Sequence, residues 1–342
     1  MARRGTRVSV FDQAAVVESN SSISSSNVND PTKSPCSDEH SRVASPCYVL
    51  VTAAYNEEAN IEKTIESVLS QTLLPKRWVI VSDGSVDRTD QIVQQYAKQH
   101  SLIRFLRVTR QPGRSFGSKV KALHMGNRFL KDVNYDFIGN LDADVSVASS
   151  YFGDLISRFD LRPSLGLAAG FVVEETNGVF RDRRQNRTYA VAHAAQLVRG
   201  KCYDAIGGYA VLEYGGEDWH AQTCAKMKGW EVQAFPELKI FHHRHTGEGD
   251  NLLRHKFRQG RMDFSFGSDP WFEIFKCVQY VPEKPVFAGG AARLLGFFWS
   301  WARRDERPVS AEFVKFLRCE QRQRISALMK GSWKSPAGKV AL

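Results

Sequence analysis

The chain has 342 residues, 42% hydrophobic and 25% charged. By a prior of roughly 150 residues per domain, that is enough for one sizeable α/β core with appendages, and it excludes a peptide scaffold or a chain disordered throughout. The formal charge is +10, but residues 285–342 hold 11 Lys/Arg against 4 Asp/Glu, so most of the excess sits in the tail; this argues against whole-protein polyanion binding, and the tail suits an anionic membrane surface rather than nucleic acid.

Residues 19–46 are rich in Ser, Asn, Asp and Pro with almost no large apolar side chains, so residues 1–46 are expected to form a disordered leader. Arg3, Arg4 and Arg7 open the chain, but Asp12, Gln13 and Glu18 break any apolar run. No secretory signal is therefore expected, and the cytosol is the expected compartment. Six scattered cysteines, with no C-x-x-C pair, indicate neither a disulfide framework nor a cysteine metal site.

The fold is expected to begin near Cys47. Tyr48 to Val51 reads as a buried strand, followed by a loop with Tyr55, Asn56, Glu57 and Glu58 and by a helix with Ile61, Ile65, Val68 and Leu69 on one face. The apolar run Trp78 to Val81 ends in Ser82-Asp83-Gly84-Ser85; a second helix around Ile92, Val93 and Tyr96 precedes the run Phe105 to Val108. A helix from about Lys119 to Leu130 leads to Phe137 to Leu141, which ends in Asp142-Ala143-Asp144. Short apolar strands alternating with helices predict an α/β fold on a mostly parallel sheet flanked by helices, with ligands at the carboxyl ends of the strands. Asp83, Asp142 and Asp144 all fall at such ends. Residues 150–160 read as a helix and Leu167 to Val173 as a strand; the charged stretch Arg181 to Arg187, a possible contact for an anionic acceptor but more simply a solvated face, precedes another helical region.

Five pieces, TAAYNEEANIEKTIESVLSQ, VIVSDGSVDRTD, GSKVKALHMGN, FIGNLDADV and GGYAVLEYGGEDWH, occur in the order seen in family 2 glycosyltransferases of the GT-A fold, and the chain resembles that family over roughly residues 47–250. The resemblance implies an inverting transfer of a sugar from a nucleotide-diphosphate donor, UDP being the commonest, to a hydroxyl of a glycan or lipid-linked acceptor, with Mn²⁺ or Mg²⁺ as cofactor. It places Tyr55 and Glu57 near the nucleoside, Asp83 on the base or ribose, Lys119 near the diphosphate, Asp142 toward sugar and ribose, and Asp144 on the metal. Gly215-Gly216-Glu217-Asp218 opens a helix, and Asp218, seconded by Glu217, resembles the family's general base; alternatively, two acids in a first turn simply complement the helix dipole. His242, His243 and His245 follow a strand. In many relatives a late histidine or acid completes the cation's shell, so His243 and His245 join Asp144 as metal candidates, the sequence leaving open both the choice among the three histidines and a simple solvated turn. Ala54 and His124 depart from the family's usual Pro and Asn. Two rivals, a nucleotidyltransferase and a noncatalytic scaffold, predict a glycine-rich activation loop and lost acids respectively, and neither is seen.

Residues 251–284 read as a connecting region. Val286 to Ala302 is rich in aromatics, but it is interrupted by Arg293 and falls short of the roughly 20 apolar residues that spanning requires. With Arg303, Arg304 and Arg307 behind it and a basic amphipathic stretch from Phe313 to Leu328, residues 285–342 suit an interfacial helical tail on the cytosolic face of a membrane, or else a helical pair packed on protein.

Overall fold

A computed structural model describes residues 46–109, 117–176, 178–244, 252–279 and 287–329. Residues 1–45 of the expected leader and His245 lie outside the described residues.

The first half follows the expected alternation: β1 (Tyr48–Ala54), α1 (Ile61–Leu69), β2 (Arg77–Asp83), α2 (Thr89–Gln99), β3 (Ile103–Val108), α3 (Ser118–Asn127) and β4 (Phe137–Leu141). These strands pair in parallel in the order β3-β2-β1-β4. Every residue of β4 and all but one of β1 are buried, because helices cover both faces of the sheet. The chain runs outward from β1 through β2 to β3, then returns to the other side of β1 as β4. The order therefore reverses between β1 and β4, which opens a crevice beyond their carboxyl ends.

Past β4 the sheet becomes mixed. The chain continues through β5 (Val145–Val147), α4 (Tyr151–Leu161), β6 (Leu165–Thr176), β7 (Val179–Asp182), β8 (Ala195–Arg199), α5 (Gly200–Ile206), α6 (Glu217–Met227) and β9 (Glu231–His242). β8 is antiparallel to β4 and β6, whereas β9 is parallel to β6 and antiparallel to the short β5. One core layer includes Ile61, Ile65 and Phe152 on one side of the sheet, and another includes Val120, Leu123 and Ala221 on the other. Gly126 lets α3 lie flush on the sheet, since a Cβ there would come 2.6 Å from a methyl of Val51.

The span 251–284 contributes α7 (Leu252–Ser265) and α8 (Pro270–Gln279), followed by α9 (Ala288–Ala302) and α10 (Ala311–Met329). α7 and α9 approach at Gly260 and Gly296, where a Cβ on either would strike the partner's backbone. Arg293, read from the sequence as an interruption, is turned inward against Asp263 (2.6 Å) and Glu273 (2.9 Å), which also hold Lys276. The helices then pack on the α/β domain through Phe266 and Phe313, which meet Trp219 and His220 of α6.

Candidate active site

The loops after β1 and β2 are laced together. Asn56, held at a left-handed φ of 54°, takes the Val86 N–H on its side chain (2.9 Å) and donates its own N–H to Ser85 Oγ (3.1 Å). The Glu57 N–H donates to Thr89 Oγ1 (2.7 Å) and the Glu58 N–H to Asp87 (3.1 Å). Much of the YNEE and DGSVDRT motifs is thus scaffolding that fixes Tyr55, Glu57 and Asp83 at two neighbouring strand ends. Across the crevice, Thr64 of α1 donates to the Ala143 carbonyl (3.0 Å), pinning the turn between Asp142 and Asp144.

Several of the expected residues are brought together. Lys119, on the first turn of α3, reaches Asp142 at 2.6 Å, and Asp142 also accepts from Asn140 at 3.2 Å. Burial opposes its charge, but Asp142, Glu217 and Asp144 together keep the Lys119 ammonium above its ordinary range. Glu217, at the head of α6, is thus near enough to the donor-side acids to feel the same ammonium. Gly215 and Gly216, at φ 83° and 86°, turn the chain into α6 and set Glu217 and Asp218 at its head; a Cβ on Gly216 would come 2.8 Å from Met262 Sδ.

The two acids of α6 are driven apart. Burial opposes ionisation of Glu217, but the His193 imidazole, 3.6 Å away, and the Lys119 ammonium hold its carboxyl down at about 2. Asp218 is raised, first by burial and then by the Glu217 charge beside it. A carboxylate raised in this way is a better proton acceptor than an ordinary aspartate.

Asp144 has His242 Nε2 at 3.4 Å and Arg244 Nε at 3.8 Å. Burial pushes its carboxyl up, but the His242 and Arg244 contacts, with Lys119, hold it below the usual range. Arg244 also pairs with Glu57, whose carboxyl is pushed up to about 7, chiefly by burial and then by Asp144. The expectation for His243 needs correction. Its ring hydrogen-bonds Ser146 Oγ at 2.9 Å and lies edge-on to Phe180, because successive residues at the end of β9 face opposite sides. His242 is the residue beside Asp144. Of the arginine cluster, Arg183 pairs with Glu174 at 3.4 Å, and Arg181 and Arg184 are exposed.

No three His, Cys, Asp or Glu side chains among the described residues form a closed metal cage. Asp144 and His242 still offer an oxygen and a nitrogen donor, a pair that suits a cation whose other positions go to phosphate oxygens. Asp142, Asp144, Glu217 and Asp218, with a partly ionised Glu57, outnumber Lys119 and Arg244, so the cleft carries a surplus of negative charge that a divalent cation would offset.

The fold is that of GT-A glycosyltransferases. GalNAc-T7, solved with UDP, GalNAc and Mn²⁺, superposes with a TM-score of 0.54 over 85% of this chain and 58% of its own, at 14% identity. Residues 49–215 match the model described as glycosyl transferase family 2, which marks the chain as a glycosyltransferase. The poly-beta-1,6-N-acetyl-D-glucosamine synthase of Staphylococcus epidermidis is 31% identical over 132 residues, which are 39% of this chain and 29% of that enzyme. The Staphylococcus aureus (strain COL) synthase is 32% identical over 118 residues, or 34% of this chain and 26% of its own length. The chain therefore matches less than a third of the length of these relatives.

Proposed function

We propose that this glycosyltransferase is inverting and cation-dependent, and moves a sugar from a nucleotide-diphosphate donor, UDP by preference, to a hydroxyl of a glycan or lipid-linked acceptor in envelope polysaccharide synthesis. The observation that carries this is the Lys119–Asp142 contact at 2.6 Å, with Glu217 of α6 near enough to feel the same ammonium. The polysaccharide setting is drawn from the staphylococcal synthases.

In this reading Tyr55, Glu57 and Asp83 hold the nucleoside at the ends of β1 and β2, and Asp142 orients the sugar. Asp144 and His242 would hold the cation, whose chemistry when bound would be to offset charge on the diphosphate. Asp218 takes the proton of the acceptor hydroxyl as that oxygen bonds to the anomeric carbon. The bond from that carbon to the diphosphate oxygen breaks in the same displacement, the nucleoside diphosphate leaves with the electron pair, and the anomeric centre inverts. Incubation with UDP-, GDP- and dTDP-sugars and Mn²⁺ or Mg²⁺ should release nucleoside diphosphate from one of them. Asp144→Asn and Asp218→Asn should abolish that release, and full activity in both variants would refute the reading.

The reading extends to a bilayer with anionic headgroups as the surface on which the acceptor is met. Leu295 (65% exposed), Trp299 (53%) and Trp301 (63%) of α9 face solvent beside the exposed Arg303, Arg304 and Arg307, an arrangement suited to lying in a headgroup region. No helix among the described residues is long and apolar enough to cross a membrane. Because Phe297, Phe313 and Leu317 are buried, the tail is tested by point variants rather than by deletion. Flotation with phosphatidylglycerol vesicles should be lost in Trp299→Ser/Trp301→Ser, and failure of the unaltered chain to float would exclude membrane contact.

A further inference from the structure

Residues 191–194, just before β8, tie the two sides of the cleft together. Gln222 of α6 accepts from the Val191 N–H (2.9 Å) and donates to its carbonyl (2.7 Å). Asn140 of β4 donates to the His193 carbonyl (2.5 Å), and the Asp142 N–H donates to the Ala194 carbonyl (2.7 Å). This short segment is therefore fastened both to the helix that carries Glu217 and Asp218 and to the strand end that carries Asp142.

From its middle, His193 enters the interior. The residue is 6% exposed, its ring stands edge-on to Tyr209 with centroids 4.4 Å apart, and its Nδ1 lies 3.6 Å from Glu217 Oε1. At that distance the contact falls just short of a hydrogen bond, and neither ring nitrogen has a hydrogen-bond partner among the described residues. An unsatisfied buried polar group costs about 1–3 kcal/mol, so packing alone would be better served by an apolar ring. Asn140 Oδ1 and Gln196 Nε2 also lack partners, and Asn140 and Tyr209 line a cavity of about 10 Å³, room for about one water. The interior behind the acids thus holds several incompletely paired polar groups.

We propose that His193 is a positioning residue for sugar transfer: its Nδ1–H closes onto the Glu217 carboxylate when substrates fill the cleft and thereby fixes the first turn of α6, which aims Asp218 at the acceptor hydroxyl. An anionic oxygen only accepts, so Glu217 selects the ring form with a proton on Nδ1. Contacts of this kind are often long without substrate and tighten in the complex. His193 is the ion-pair neighbour of the Glu217 carboxylate, and the Lys119 ammonium adds a longer-range attraction. Asp218 is the next residue on the same turn, so any rotation of that turn carries the base with it. The proposal rests on the transferase reading for its consequence, but not for the contact itself.

Two measurements test it. In donor turnover, His193→Ala should lower kcat about 100-fold with the donor KM nearly unchanged, the scale expected for an ångström of misplacement. His193→Asn, whose amide nitrogen can stand where Nδ1 stood, should recover most of that loss. An unchanged kcat in the alanine variant, equal losses in both variants, or a change in KM alone would overturn the proposal. Independently of turnover, thermal midpoints of the wild type, His193→Ala, Glu217→Gln and the double variant should be non-additive by about 2 °C or more. Additive midpoints would show that the two side chains are not coupled. A wild type that turns over no donor sinks the transferase reading, and the midpoint cycle then still decides the contact.

Discussion

The tail and the cleft both bury charge, but they treat it differently. Between α7, α8 and α9, two acids meet two bases: Asp263 and Glu273 each contact both Lys276 and Arg293, at 2.6–3.2 Å for the contacts through Lys276 Nζ, Arg293 Nη2 and Arg293 Nε. In the cleft, five acids share Lys119 and Arg244, the Asp144–His242 contact is 3.4 Å, and His193 has no hydrogen bond on either nitrogen among the described residues. Charge in the tail is closed on itself and serves the fold; charge in the cleft has an acidic surplus and open donors, as a site awaiting an anionic ligand and its cation requires.

The largest expected effect is in the cleft. Asp218→Asn should lower transfer at least about 10³-fold, roughly 4 kcal/mol of transition-state stabilisation, while the thermal midpoint stays at or above that of the wild type. A large loss of stability instead would make Asp218 part of the scaffold. The tail should behave in the opposite way: Arg293→Met strands two buried carboxylates beside Lys276 and should cost about 3–5 kcal/mol of stability in denaturant titration. Gly260→Ala forces a methyl into the α9 backbone and should cost about 1–3 kcal/mol, again without a specific effect on donor KM.

The smallest effect sharpens the contrast through pH. The Glu217 carboxyl is held at about 2 against an ordinary 4.5, so its ionisation favours the folded state above pH 4.5 and that contribution is lost as pH falls toward 2. Glu217→Gln should flatten the acid limb of the stability profile over that window. An unchanged limb would mean that His193 and Lys119 do not hold this carboxylate.

Much of this was legible in the sequence. β1, β2 and β4 announce themselves as unbroken apolar runs because both their faces are covered, and Asp83, Asp142 and Asp144 follow from where those runs stop. The mixed half beyond β4 was harder, since β6 and β9 are long strands with register shifts and β7 is wholly exposed. His193 gave no signal: it lies in no motif, and its neighbour Glu217 comes 24 positions later. The pairing of Arg244 with Glu57 spans 187 positions and was equally invisible. The order of His242 and His243 was on the page, but which one faces Asp144 depends on the phase of β9, which a strand-end turn leaves open in sequence.

Titration calorimetry with UDP, GDP and dTDP in the presence and absence of Mn²⁺ tests the central claim most directly, because it separates holding the donor from moving the sugar. Wild type and Asp218→Asn should bind one of these diphosphates about tenfold or more tightly with Mn²⁺ than without, and Asp144→Asn should lose that difference. Retention of the full Mn²⁺ dependence by Asp144→Asn would contradict the assignment of the cleft.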